Sequence, residues 1–183
     1  MGVMHELGIR FLDGNGMELE GVGENLINVH TIDTEGLHPL IDEVNITVMC
    51  DVTNPLLGEN GATFVFGPQK GAALEKGMTH FADVVEKQMH EKFRDYPGTG
   101  AAGGLRFALK TFLNAKLQSG IKTIMDINNF EKLLNGVDLV VTGEGKLDSQ
   151  SVQGKVISGI GEACRKSRIP VIAIVGGMGK MEK

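Results

Sequence analysis

"VDLVVTGEGKLDSQSVQGKVISGIGEACRKSRIPVIAIVGG", residues 137–177, is the stretch that decides the architecture. It opens on an apolar run, "VDLVVTGEG" (137–145), and closes on a second, "IPVIAIVGG" (169–177), and each ends in glycine. The segment between them, 149–168, reads as a helix weakened by its own glycines. Strands that are almost wholly apolar belong to parallel sheets covered on both faces, and parallel neighbours need a crossover of about this length. The stretch therefore predicts a strand–helix–strand unit, part of a Rossmann-like layer. One such unit is too little for a doubly wound sheet.

Working outward, the chain changes its period twice. "LGIRFLDGNGMELEG" (7–21) reads as a hairpin around "DGNG", since Gly and Asn accept positive φ. "LINVHTID" (26–33) and "EVNITVMCDV" (43–52) are strand-type runs, so the first fifty residues are expected to be mostly strand. From Ala72 onward, Leu74, Met78, Phe81, Val85 and Met89 recur at spacings of three and four, the stripe of an amphipathic helix. Leu105, Leu109, Phe112 and Leu117 predict a second helix over 104–117, and 128–136 a short third with an Asn cap and a Gly stop. The expected fold class is α/β: an α+β module over 1–134, then part of a Rossmann-like parallel domain over 135–183.

Bulk properties exclude several function classes. The 183 residues are 42% hydrophobic and 22% charged, ordinary for a folded soluble chain. A net charge of −5 without a basic stripe argues against a nucleic-acid surface. One Tyr and no Trp supply no stacking platform. Cys50 and Cys164 have no metal-ligand spacing, which fits a reducing compartment. No apolar run approaches the length of a membrane span and no leader is visible, so the expected setting is cytoplasmic. Glycine is the outlier, with 26 residues clustered in a few turns, where backbone must bend sharply or approach a ligand.

Three clusters could carry chemistry. In "CDVTNPLLGENGATFVFGPQKGA" (50–72) an apolar run ends on Asp51, followed by Asn54-Pro55 and later by Gln69 and Lys70 just before a helix. A strand-end carboxylate and an ammonium near helix N–H groups suit metal, phosphate or carboxylate binding. The same residues also read as a surface loop with a turn-capping Asp. "GTGAAG" (98–103), with Gly100 and Gly103, matches G-x-G-x-x-G, but a helix tail and Pro97 precede it instead of the strand a dinucleotide site requires. It reads either as an anion-facing turn or as a close-packed connection. "TGEGKLDSQSVQGK" (142–155) brings Gly143, Glu144, Gly145, Lys146 and Asp148 to the carboxyl end of a buried-type strand, where open α/β sheets bind ligands. A plain N-cap at Asp148 or Ser149 is the simpler alternative. P-loop, H-E-x-x-H and G-x-S-x-G patterns are all missing.

Together, "CDVTNPLLGENGATFVFGPQKGA", "GTGAAGGL" and "DLVVTGEGKLDSQSVQGK" followed by "IPVIAIVGG", with "LGIRFLD" near the start, resemble the glycerate kinase family of bacterial glyoxylate and sugar-acid pathways. The likeness runs along the whole chain but covers about half of a family member, so the chain reads as a fragment. The resemblance implies ATP-dependent, Mg²⁺-assisted phosphorylation of D-glycerate by two α/β domains, with 1–134 as the domain inserted into a Rossmann-like one. By the same resemblance Asp51, Lys70 and Asp148 are the expected catalytic residues, with Asp51 also the expected Mg²⁺ ligand. Asn54, Gln69, Gly100, Gly103, Gly143, Glu144 and Gly145 are the expected substrate- and nucleotide-binding set. A non-catalytic sugar-acid binding module or an inactive domain is the alternative. Uncovered sheet faces in a partial Rossmann-like layer lead to an expectation of self-association.

Overall fold

The computed structural model describes residues 1–66, 71–147 and 156–179. The chain forms two compact units, Met1–Leu117 and Gln118–Lys183. They divide earlier than the 134/135 boundary read from the sequence, because two helices over 120–133 pack with the strand–helix–strand element.

In the first unit a short α1 (Gly2–Glu6) leads into β1 (Arg10–Leu12), which pairs antiparallel with β2 (Thr31–Asp33). β3 (Thr47–Met49), α2 (Ala62–Phe66), α3 (Gly71–Met89) and α4 (Leu105–Phe112) follow, and β4 (Lys116–Gln118) pairs with β3. Phe11 lies opposite Ile32 in the register, and both side chains are buried. The α3 stripe completes this core: Met78, Phe81 and Val85 are buried, with Leu74 and Met89 packed at its margin. The Phe11 ring lies 5.7 Å from Phe81 and 6.2 Å, edge-on, from Phe112, favourable geometries for aromatic pairs.

The front of the chain is less strand-rich than expected. Asp13 does form the predicted turn, its Oδ1 accepting from the N–H groups of Asn15 (2.8 Å) and Met17 (2.9 Å). Those backbone bonds hold its carboxyl below the usual carboxylate range. The returning limb, however, pairs with β1 only around a Leu12–Glu18 bridge, with Leu19 N–H to Phe11 O at 2.8 Å, while β2 lines the opposite edge. Residues Gly23–Asn28 form a 3-10 turn that takes the start of the run read as strand over 26–33, and Pro39–Glu43 form another in the connection before β3. Leu26 and Val29 reach the core from the first of these. Gly77 allows the approach, because a Cβ there would lie 3.2 Å from Leu26 Cβ. His80 Nε2 and Val29 O lie 2.8 Å apart and tie α3 to the same segment.

α4 also ends sooner than its apolar stripe predicts. Asn114 adopts φ +47°, Ala115 N–H bonds back to Leu109 O at 3.1 Å, and the next residues join β3 as β4. The pull of sheet pairing thus overrides helical periodicity at Leu117.

In the second unit α5 (Gly120–Ile127) and α6 (Phe130–Leu133) precede β5 (Val140–Glu144), α7 (Val156–Ser167) and β6 (Val171–Val175). β5 and β6 are parallel, paired from Val140–Val171 through Glu144–Val175, as the opening stretch predicts. Ser119 Oγ accepts from Lys122 N–H and caps α5. α6 forms within the predicted 128–136 helix, but Asn129 precedes it at φ +50° without a side-chain cap bond. Leu134, Ala163 and Cys164 form a small core with Met125, Phe130 and Ile160 around them. Burial pushes the Cys164 thiol pKa up. A Cβ on Gly159 would lie 2.8 Å from Ile121 Cγ1, so this helix glycine admits α5. Val141, Ile172 and Ile174 stay exposed, and the expectation of self-association rests on this apolar strip. Among the described residues no helix is long and apolar enough to cross a membrane.

Candidate active site

Two clusters of the sequence-derived residues are described, one in each unit. In the first, Asp51 stands exposed, two residues beyond the end of β3. Cys50 Sγ donates to Val52 O at 3.0 Å and accepts from Val52 N–H at 3.3 Å, so a local turn brackets Asp51. Asn54 closes the following loop, its Nδ2 donating to Asn60 O at 2.8 Å. Leu56 is fully buried and its N–H bonds to Arg94 O at 2.9 Å. Glu75 on α3 receives both the N–H of Gly58, at 2.7 Å, and the Thr63 hydroxyl. This loop is therefore anchored at four points along its length, which gives Asp51 and Asn54 fixed positions.

Arg94, the other end of the Leu56 bond, is itself held by acids on α3. Its Nε donates to Glu86 Oε2 at 2.8 Å and its Nη2 to Asp83 Oδ1 at 2.6 Å. The Glu86 bond, supported by Asp83, raises the Arg94 pKa. Burial works to raise Glu86, but the Arg94 hydrogen bonds outweigh it and hold that carboxyl below its usual value.

The glycine loop "GTGAAGG" (98–104) lies against this segment. Gly98, Ala102, Gly103 and Gly104 all have positive φ, at +88°, +53°, +65° and +85°. Its front half is buried packing. Gly100 N–H donates to Asn54 O at 3.0 Å, and a Cβ on Gly100 would fall 2.0 Å from Pro55 O. The Gly100 amide is thus already committed to the protein. Its back half is exposed at Ala102 and Gly103, in a left-handed run that opens α4. No strand precedes the loop: α3 ends at Met89 and turns follow. This agrees with rejection of a dinucleotide fingerprint. The fold sets Asn54 against Gly100, and Cys50 and Val52, the two neighbours of Asp51, against Gly98.

In the second unit, Glu144 is the last residue of β5. Its Oε2 is buried and has no hydrogen-bond partner among the described residues. An ionised oxygen in that state is costly unless a cation or donor reaches it. Gly143 sits on the β6 side, where a Cβ would lie 3.2 Å from Ile174 O, whereas Gly145 has open space around it. Past the strands the ladder continues, with Gly176 N–H to Glu144 O at 3.2 Å and Leu147 N–H to Gly177 O at 2.9 Å. Two glycine-bearing strand ends therefore finish side by side, the position at which open parallel sheets receive ligands. Gln69, Lys70 and Asp148 lie outside the described residues.

A cavity of about 530 Å³ in this unit is lined by α5, α6 and α7, and none of the sequence-derived residues faces it. Among the described residues no group of three or more His, Cys, Asp or Glu is arranged to hold a metal.

A sequence model described as the glycerate kinase family matches residues 1–183. The chain belongs to the glycerate kinase family. It is 43% identical over 183 residues to a protein named glycerate 2-kinase from Escherichia coli K12, covering 97% of this chain and 48% of the relative. It is 43% identical over 185 residues to a glycerate kinase of Bacillus subtilis 168, covering 98% of this chain and 48% of that protein. A crystal structure from Salmonella typhimurium LT2, described as a glycerate kinase 2, superposes with a TM-score of 0.81 at 39% identity. It covers 97% of this chain and 49% of that one. The chain spans about half the length of the curated relatives it matches.

Membership of the glycerate kinase family bears out the resemblance carried by the three sequence blocks. Sequence reading missed the residues that fix the site's shape. Glu75 and Arg94 lie on or after a regular helix and look like surface charges. Arg106 had one signal, its place one residue after Leu105 in an otherwise apolar "GLRFAL". It is only 4% exposed, and its guanidinium donates to Gly98 O and to Val48 O, each at 3.3 Å.

Proposed function

We propose that this chain carries glycerate kinase chemistry, the transfer of the γ-phosphoryl group of ATP to a hydroxyl of D-glycerate. One observation carries the reading: likeness to proteins named glycerate kinase runs along 97% of the chain at 43% identity. The E. coli relative's name favours the 2-hydroxyl as acceptor. The hydroxyl oxygen attacks Pγ, the bond from Pγ to the bridging oxygen breaks, and ADP leaves. The hydroxyl proton passes to a carboxylate, for which Asp51 is the candidate. Asp51 is exposed on an anchored loop, a setting in which the carboxylate is held in place and still reachable by a small acid.

Phosphoryl transfer is mostly positioning and charge neutralisation, so the other roles are electrostatic. Lys70 supplies an ammonium for phosphate or carboxylate oxygens, and Asp148 a further carboxylate. Asn54 and Gln69 offer polar contacts to substrate. Exposed Gly103, Gly143 and Gly145 leave room for phosphate or nucleotide beside the backbone. Magnesium is usually held by one or two carboxylates together with phosphate oxygens and water, so no dense ligand cluster is required. Asp51 is the sequence-derived ligand, and Glu144 Oε2, which has no partner among the described residues, fits a hard cation equally well. A bound Mg²⁺ would neutralise charge building on the phosphate oxygens. ATP as donor favours a cytoplasmic setting.

Phosphorus NMR of the protein carrying this sequence, with ATP, Mg²⁺ and D-glycerate, tests the reading. The expected result is a growing phosphomonoester signal of 2-phosphoglycerate in step with ADP. Glycerate binding without that signal would leave a sugar-acid binding module instead.

A further inference from the structure

We propose that Arg106 is a positioning residue for the phosphoryl-transfer site: its buried guanidinium clamps the glycine loop to β3 and so sets the path of the segment that carries Asp51. The inference rests on the reading that Asp51 belongs to that site.

The geometry is specific. Arg106 is the second residue of α4, yet its head runs back beneath the loop that opens that helix. One arm reaches Gly98 O, at the start of the loop, and the other reaches Val48 O, within β3. The β3 segment runs from Val48 through Met49 and Cys50 to Asp51 with no intervening element. A Cβ on Gly98 would lie 2.7 Å from Arg106 Nη1, 3.0 Å from Val52 O and 3.5 Å from Cys50 Sγ. The guanidinium, the glycine and both neighbours of Asp51 thus converge on one point.

Burying an arginine head costs free energy unless its donors are used, and a planar fork is the one side chain able to grip two carbonyls in fixed directions. A lysine delivers its charge through a single point and spans them poorly. Gly98 fits this picture independently. Its φ of +88° and the missing Cβ are both needed for the guanidinium to lie where it does. A displacement of about 1 Å in a reacting group lowers rate by about 100-fold, so a clamp of this kind bears on turnover without touching substrate.

Arg106→Lys and Gly98→Ala test the clamp by two routes, one shortening the fork and one pushing it aside. Amide hydrogen exchange in the 183-residue chain reads it locally. The Gly100 amide, bonded to Asn54 O, is expected to exchange at least about 10-fold faster in both variants, while Val85 in α3 keeps its protection. Equal acceleration at Gly100 and Val85, or none at Gly100, overturns the clamp. In turnover, Arg106→Lys is expected to lower kcat about 10- to 100-fold with KM for D-glycerate within about threefold. A rise in KM with kcat unchanged overturns the positioning role. An Asp51→Asn variant at wild-type rate removes the loop from the site while leaving the exchange result intact, so the two failures are separable.

Discussion

Asp51→Asn is expected to lower kcat for glycerate phosphorylation by about 1000-fold, within the range seen when a positioned proton acceptor is removed. The substitution keeps the size of the side chain and removes its charge and its basicity. The bonds that shape the loop come from the Cys50–Val52 turn, from Asn54 and from Leu56, and none of them is disturbed. As a substitution at an exposed position, Asp51→Asn should change stability by about 0.5 kcal/mol or less, read by urea unfolding. A loss of activity with unchanged stability assigns the defect to chemistry. Lys70→Ala is expected to act in the same direction, through lost charge neutralisation. Near-normal rates for both would remove the two residues from the site and leave the loop with a purely structural part.

The second large effect concerns stability. Gly100→Ala should cost about 2–4 kcal/mol, combining overpacking with a weakened hydrogen bond. The added Cβ would fall 2.0 Å from Pro55 O, 2.9 Å from Pro55 C and 3.1 Å from Ala62 N. All three are backbone atoms, of the anchored loop and of the first residue of α2, so no side chain can rotate away to make room. The bond from Gly100 N–H to Asn54 O would stretch in the same movement. Urea unfolding checks this as a lowered midpoint at unchanged slope. Gly103→Asn is the matched comparison, since that position has open space and a φ of +65°, which Asn tolerates. It should cost well under 1 kcal/mol. Comparable losses at the two positions would contradict close packing at Gly100.

The two glycines also show what a sequence pattern conveys and what it hides. "GTGAAG" marks both as special, but only the fold separates one that must admit a carbonyl from one that must turn left-handed. The strand–helix–strand stretch was legible because two uniformly apolar runs separated by a helix-length segment have few alternatives to a parallel pair. The α3 stripe was legible for a similar reason, being long and strictly periodic. The front fifty residues were legible only in part: β1, β2 and β3 fall inside the runs read as strand, but each is only three residues long. Leu26 and Val29 look like strand residues, yet a single turn against α3 buries them equally well. Leu117 continues a helical period but is claimed by β4. α5 gave little warning, and with it the division between units at 117/118 was missed. In the site, chemistry-bearing residues announced themselves through composition, while their supports did not. Glu75, Arg94 and Arg106 act through backbone groups far along the chain, and no local spacing encodes that.

The most direct measurement is a titration of ¹⁵N-labelled protein with D-glycerate in the presence of Mg²⁺ and a non-hydrolysable ATP analogue, following each backbone amide. The account predicts saturable shifts concentrated at residues 51–54, at the exposed back of the glycine loop around 102–104, and at the β5 end around 143–145. Shifts confined to the cavity lined by α5, α6 and α7, with those three segments silent, would contradict it.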